Sequence, residues 1–246
     1  MSPKGTASRN LSKSRSNRST YLLGALAIVV IAAIVIGGVI WESHRNQTHN
    51  EGYGSVQNPN VSAELQPDGS VRLGLPDAAK TIDVFEDPLC PFCAQLEQKH
   101  GQEIAQAIDQ AKLAVHYHML NFLDSLSASG DYSTRAVAAT QCVAATGSGV
   151  AYARFRGILF TPENLPKERG TSDHSNDDLA NMARDAGADD HAVTCIREGQ
   201  KVQSAAKDGD AARQQMMAAG GRGTPAVFVG TTEIDPTDPN WVANLL

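Results

Sequence analysis

The stretch DPLCPFCAQLEQ, residues 87–98, places two cysteines one helical turn apart, with a proline between them, at the head of a run of helix formers. Pro91 suits the first position of a helix, where its missing N–H is not needed. Cys90 then falls at the N-cap, and Cys93 lies one turn further in. Free backbone N–H groups and the positive end of the helix dipole point at the Cys90 sulfur, and both favour a thiolate. Such a position can lower a thiol pKa from about 8.5 into the range of roughly 3.5–7.5. The pair suits thiol–disulfide exchange. Cys90 attacks or is attacked, and Cys93 resolves the mixed disulfide. A more stable Cys90 thiolate makes the oxidised pair a stronger oxidant.

Two other uses compete for the same spacing. Half of a zinc site is one, but a tetrahedral site needs two further ligands, usually in another short-spaced pair. Cys142 and Cys195 are isolated and the histidines form no matching pair. A purely structural 90–93 bridge is the other, and so short a loop removes little unfolded-state entropy. The expectation is therefore a redox pair, with no metal and no cofactor besides the Cys90–Cys93 disulfide itself. The four cysteines allow three pairings, and spacing alone does not choose among them.

Working outward, TIDVFED (81–87) is a short β-rich run that stops at Pro88, and LAVHYHML (113–120) alternates as a strand does. Strand, helix and strand in this order predict a βαβ unit with a right-handed crossover. Upstream, VSAELQPDGSVRLGLPDAAK (61–80) carries apolar runs on either side of Pro67-Asp68-Gly69, which predicts a small hairpin. From Tyr132 to about Gly220 the chain is Ala-rich with helical spacing, and four or five helices without a strand are expected. GGRGTPAVFVGTTEI (220–234) returns to β character, and WVANLL begins a last helix or ends the chain.

The N-terminal part reads differently. Residues 1–20 are Ser-rich and basic, which predicts a disordered tail. Residues 21–41, YLLGALAIVVIAAIVIGGVIW, carry no charge and are long enough to span a hydrocarbon core of about 30 Å. All basic residues of the tail precede this run, so the positive-inside rule puts the tail in the cytoplasm and the remainder outside. A cleaved signal peptide would have a shorter apolar region ending in small residues, so a single-pass, uncleaved anchor is expected. Residues 42–60 read as a polar linker. Of 21 basic residues, five precede the span, which leaves the outer part near −11 against 27 acidic residues. That balance argues against nucleic acid or an anionic membrane surface as its ligand.

Taken together, strand TIDVF, the Cys90-Pro91-Phe92-Cys93 motif, the helical insertion, and Gly223-Thr224-Pro225 before strand AVFV resemble, in order, the thioredoxin superfamily. The resemblance is to DsbA-like oxidoreductases, in particular the membrane-anchored forms of actinobacteria, and covers about residues 75–246. It implies an α/β thioredoxin-like fold at 61–131 and 221–246, an inserted helical domain at 132–220, and one preceding transmembrane helix. It implies Cys90 as nucleophile, Cys93 as resolver, and a cis Pro225 that lies against the pair, keeps metal away and presents the Thr224 backbone to an extended substrate. With 90 and 93 paired to each other, a structural Cys142–Cys195 disulfide is the simplest count. The implied partners are unfolded exported proteins and a membrane reoxidant of the DsbB or vitamin K epoxide reductase type, and a monomer is expected. The implied activity is a dithiol oxidase. A reductase or isomerase on the same fold is the first alternative, and a non-catalytic peptide-binding module with structural cysteines is the second.

The sequence departs from the family pattern at two places that bear on thiolate tuning by Pro91, Phe92 and Glu86. Many relatives carry His where this chain has Phe92, which cannot donate to a thiolate. Many carry a buried acid where this chain has Val84. Glu86 shares that strand face and could relay protons instead, although an exposed turn acid is the plainer reading. His116 and His118 alternate on one strand face as a surface or packed pair. His100, His174 and His191 lie in polar contexts and call for no role. Met216 and Met217 suit either the core or an adaptable apolar groove.

Overall fold

A computed structural model describes residues 29–38 and 48–246. A helix covers 29–38. Among the described residues no helix is long and apolar enough to cross a membrane. The expected tail and most of the expected 21–41 anchor lie outside the described residues. Residues 48–246 form a compact unit of their own.

The unit is built on a six-stranded sheet. Strands β1 (Ser62–Leu65) and β2 (Val71–Gly74) form the expected hairpin. Its turn is closed by Gln66 N–H donating to the Ser70 carbonyl at 2.8 Å, with Gly69 at φ +83°, a conformation that favours glycine. Strands β3 (Lys80–Glu86) and β4 (Leu113–Met119) are parallel and flank helix α1 (Pro91–Asp109) in the chain. This is the βαβ unit that the sequence pattern predicts. Strands β5 (Ala226–Val229) and β6 (Thr232–Ile234) extend the sheet beyond β3, in the order β1-β2-β4-β3-β5-β6. All pairings except β3–β4 are antiparallel. Strands β3 and β4 are central and mostly buried, which is why their sequences run nearly continuously apolar.

Five α-helices lie between β4 and β5: α2 (Tyr132–Ala144), α3 (Gly149–Leu159), α4 (Asn176–Asp185), α5 (Asp190–Arg197) and α6 (Val202–Ala218). Side-chain caps start three of them. Ser148 caps α3, Ser175 forms a capping box with Asp178 on α4, and Asp189 caps α5. The insertion shares one core with the sheet, since Ile82, Val84 and Leu113 belong to the same apolar cluster as Phe155, Leu179 and Val193. Cys142 on α2 and Cys195 on α5 are joined by a disulfide within this block, with Cα atoms 5.9 Å apart. Helix α7 (Trp241–Leu245) ends the chain, with Trp241 and Val242 buried.

The expected linker at 42–60 is not free where it is described. The Tyr53 hydroxyl donates to Asp109 at 2.6 Å, and the backbone N–H groups of Gln57 and Asn58 donate to the same carboxylate. Val56 is buried. Asp109 ends α1, so its carboxylate gathers donors from the incoming chain. The polar composition of the stretch concealed these two apolar anchors.

Candidate active site

Cys90 is the N-cap of α1 and Pro91 its first residue, as the motif predicts. Both Cys90 and Cys93 are free thiols, and both are buried, Cys90 at 4 % exposure and Cys93 at 0 %. The two sulfurs differ sharply in their surroundings. The Cys90 pKa is lowered to about 6, first by a hydrogen bond from the Cys93 thiol. Burial opposes the shift, and the Thr224 side chain and the backbone N–H groups of Phe92 and Cys93 add to it. Burial pushes the Cys93 thiol well above its ordinary value, and the negative charge on Cys90 adds to that. At neutral pH the outer sulfur is therefore a thiolate and the inner one its hydrogen-bond donor.

Thr224 comes from the other end of the domain. The Thr224–Pro225 peptide bond is cis and precedes β5, which pairs directly with β3. Its carbonyl oxygen lies 3.4 Å from the Cys90 sulfur. Its hydroxyl is buried and makes no other hydrogen bond, and the Thr224 side chain helps to hold the Cys90 pKa down. The sequence pointed to the Thr224 backbone, and the structure adds the hydroxyl.

Phe92 points outward, with 62 % of its surface exposed. A groove of about 460 Å³ next to the cis-proline loop is lined by Phe122, Arg213, Met216, Met217 and Gly220 to Arg222. The two methionines divide the roles expected for them. Met216 is core, against Phe85 and Phe228, while Met217 is exposed on the groove.

Glu86 is not an exposed turn acid. It is 0 % exposed, and both of its oxygens accept from Arg156 on α3, at 2.5 Å each. Arg156 also pairs with Glu97 on α1 and lies over the Tyr117 ring at 4.1 Å. Burial pulls the guanidinium pKa down, but the two carboxylates outweigh it and hold it well above its usual value. The strand continues through Glu86 and turns its side chain inward, so desolvation demands a partner. Burial raises the Glu86 pKa even beside Arg156, and its charge adds to the rise at the Cys93 thiol.

Asp87 was missed by the sequence reading. It is fully buried, and its carboxylate accepts from Leu89 N–H at 2.9 Å, Leu123 N–H at 3.1 Å and the Ser133 hydroxyl at 2.6 Å. Burial pushes its pKa up to about 7, and the neighbouring Cys90 charge contributes to that. It thus ties the cysteine loop to the β4 end and to α2. Its position just before Pro88-Leu89-Cys90 was the only available signal, and acids before a proline are ordinarily loop features.

Of the histidines given no role, His100 is buried, with its ring stacked on His49 at 4.7 Å and edge-on to Trp241. His174 places Nε2 2.6 Å from the Asn164 carbonyl oxygen. His191 is exposed.

The chain is similar to known proteins in sequence and fold. The family model described as Thioredoxin matches residues 66–246. The solved MdbA protein, a thiol-disulfide oxidoreductase from Corynebacterium diphtheriae, superposes with a TM-score of 0.68 at 28 % identity, over 80 % of this chain and 98 % of that one. Reduced DsbA from Mycobacterium tuberculosis superposes with a TM-score of 0.62 at 29 % identity, over 72 % and 90 % of the two chains. The serine/threonine-protein kinase PknE of Mycobacterium tuberculosis is 37 % identical over 186 residues, which are 76 % of this chain. The chain spans about a third of that protein, 33 % of its length. With its cysteine pair at the head of α1 and its fold shared with these oxidoreductases, the chain belongs to the thioredoxin family and is DsbA-like.

Proposed function

We propose that this chain is an extracytoplasmic, membrane-anchored dithiol oxidase that introduces disulfides into exported proteins. The observation that carries this reading is the asymmetry of the pair, a stabilised Cys90 thiolate beside a buried Cys93 thiol. A stabilised thiolate favours the reduced form, so the oxidised form gives up its disulfide readily.

In the oxidised protein, a substrate thiolate attacks Cys90 Sγ. The Cys90–Cys93 bond breaks, and its electron pair leaves on Cys93, which takes a proton. A second substrate thiolate attacks the substrate sulfur of the mixed disulfide, and Cys90 leaves as the stabilised thiolate. The substrate loses two electrons and the pair gains them. The cycle then requires a membrane oxidant, a quinone-linked protein of the DsbB or vitamin K epoxide reductase type. The Thr224 backbone beside Cys90 supports substrate binding by added-strand hydrogen bonds, and the groove with Met217 supports apolar side chains at the same place.

The deciding measurement is the Cys90–Cys93 reduction potential in a glutathione equilibrium. A value near −120 mV, that of strong oxidants, supports the oxidase, and one near −270 mV overturns it in favour of a reductase. Cys93→Ala should accumulate mixed disulfides through Cys90 with unfolded exported proteins. Absence of such adducts would favour a non-catalytic binding module.

A further inference from the structure

On the sheet, away from the cysteine pair, three ligand-type side chains converge. Asp83 on β3 is the direct cross-strand partner of His116 on β4, and His118 lies two residues on along β4. Asp83 Oδ1 is 2.9 Å from His118 Nε2 and 3.5 Å from His116 Nδ1. One donor atom from each of the three lies within 4.8 Å of the others.

We propose that Asp83, His116 and His118 form a binding site for a divalent transition-metal ion of the zinc class. Two histidines at i and i+2 share one face of a strand, and the paired strand supplies the third ligand, so the backbone holds all three in fixed register. Ligands at about 2.0–2.1 Å from a tetrahedral zinc lie roughly 3.3 Å from one another, and the two short separations bracket that value. The donor set of two imidazoles and one carboxylate, without thiolate, suits zinc and its neighbours rather than calcium or magnesium.

The surroundings fit. The His118 ring is buried and stacked on Phe85 at 4.4 Å, which fixes its plane. Asp83 and His116 are each about a third exposed, at 32 % and 33 %, so water can reach a fourth coordination position. Asp68 in the β1–β2 turn is near enough for its charge to interact with His118, and it adds a second negative charge. Arg72, the cross-strand neighbour of His116, directs its guanidinium to the Leu75 carbonyl at 2.9 Å. Bound metal would clasp the two parallel strands of the βαβ unit and stabilise the fold by mass action.

The test uses the full chain carrying Cys90→Ser and Cys93→Ser, so that no free thiolate competes. Titration with cobalt(II), displaced by zinc(II), should show one equivalent bound, with visible bands of nitrogen and oxygen ligation. Unfolding temperature should rise with zinc. His116→Ala and Asp83→Asn, both at partly exposed positions, should each weaken binding by more than about tenfold, with metal-free unfolding checked in parallel. Absence of binding would overturn the site. Undiminished binding in both variants would also overturn it and move the metal elsewhere, for which His49→Ala in the His49–His100–Glu103 cluster is the control.

Discussion

Thr224 meets Cys90 with two different groups, although 134 positions separate them in the chain. The thiol donates to the Thr224 carbonyl, and the Thr224 side chain helps to lower the Cys90 pKa. Thr224→Val keeps the side-chain shape and removes only the second contact. It should raise the Cys90 pKa toward the ordinary thiol value, by the roughly 1.5 kcal/mol of a hydrogen bond to a charged group. The reduction potential should fall by about 30 mV in parallel. Thiolate ultraviolet absorbance against pH and a glutathione equilibrium measure the two. An unchanged pKa would remove the hydroxyl from the account.

Phe92 offers the opposite change. Its ring is exposed and donates nothing to the sulfur. Phe92→His should place an N–H near Cys90, lower its pKa below about 6 and make the pair more oxidising. Stability of the oxidised protein should shift by no more than about 0.5 kcal/mol, as for other surface substitutions. Glutathione titration of both proteins side by side decides it.

The parts of this site that were legible in the sequence are those fixed by local backbone rules. A proline after Cys90 defines a helix start, and strand periodicity defines the βαβ unit. Both require only neighbours in sequence. The environment of Glu86 was not legible, because its partner Arg156 is 70 positions away on α3. Asp87 was concealed for the same reason. Two of its donors, Leu123 and Ser133, come from beyond β4, and only the folded insertion brings them together. Val56 and Tyr53 were lost in a polar stretch whose role depends on Asp109, 56 positions from Tyr53.

The Glu86–Arg156 pair should reveal its burial when one half is removed. Arg156→Met leaves a buried carboxylate without a partner and should cost about 3–5 kcal/mol. Glu86→Gln combined with Arg156→Met should recover part of that loss, because the fully buried carboxylate is no longer stranded and only the partly exposed Glu97 loses its partner. Denaturant unfolding of the single and double variants tests this. Equal losses in Arg156→Met and in the double variant would mean that packing over Tyr117, not charge, is what Arg156 supplies.

The Cys142–Cys195 disulfide spans 53 positions. In the chain-entropy model a loop of that length is worth about 4 kcal/mol. Replacing both cysteines by Ala should lower stability by that order while leaving the Cys90 pKa near 6, since neither residue is among the groups that set it. Unfolding in denaturant and thiolate titration separate the two effects.

The pH dependence of stability carries opposite signs from two neighbours. In the folded reduced protein Cys90 titrates at about 6, against about 8.5 in an unfolded chain. Its folded pKa is depressed, so its contribution is complete above about 8.5 and is lost as pH falls through about 6. The shift corresponds to about 3 kcal/mol. Asp87 runs the other way. Its folded pKa of about 7 exceeds the unfolded value of about 3.9, so folding loses stability as pH rises between those values. Because Asp87 is present in both redox forms and the Cys90 thiol only in one, the stability of reduced minus oxidised protein should rise with pH from about 6 to about 8.5. Above that, the raised Cys93 pKa opposes further gain. Asp87→Asn should remove the loss of stability that accompanies rising pH between about 4 and about 7 in both forms. The Cys90 pKa should stay near 6, because Asp87, with a pKa of about 7, is still protonated while Cys90 titrates. If Asp87 served only as a loop anchor, the variant would lose stability at every pH alike.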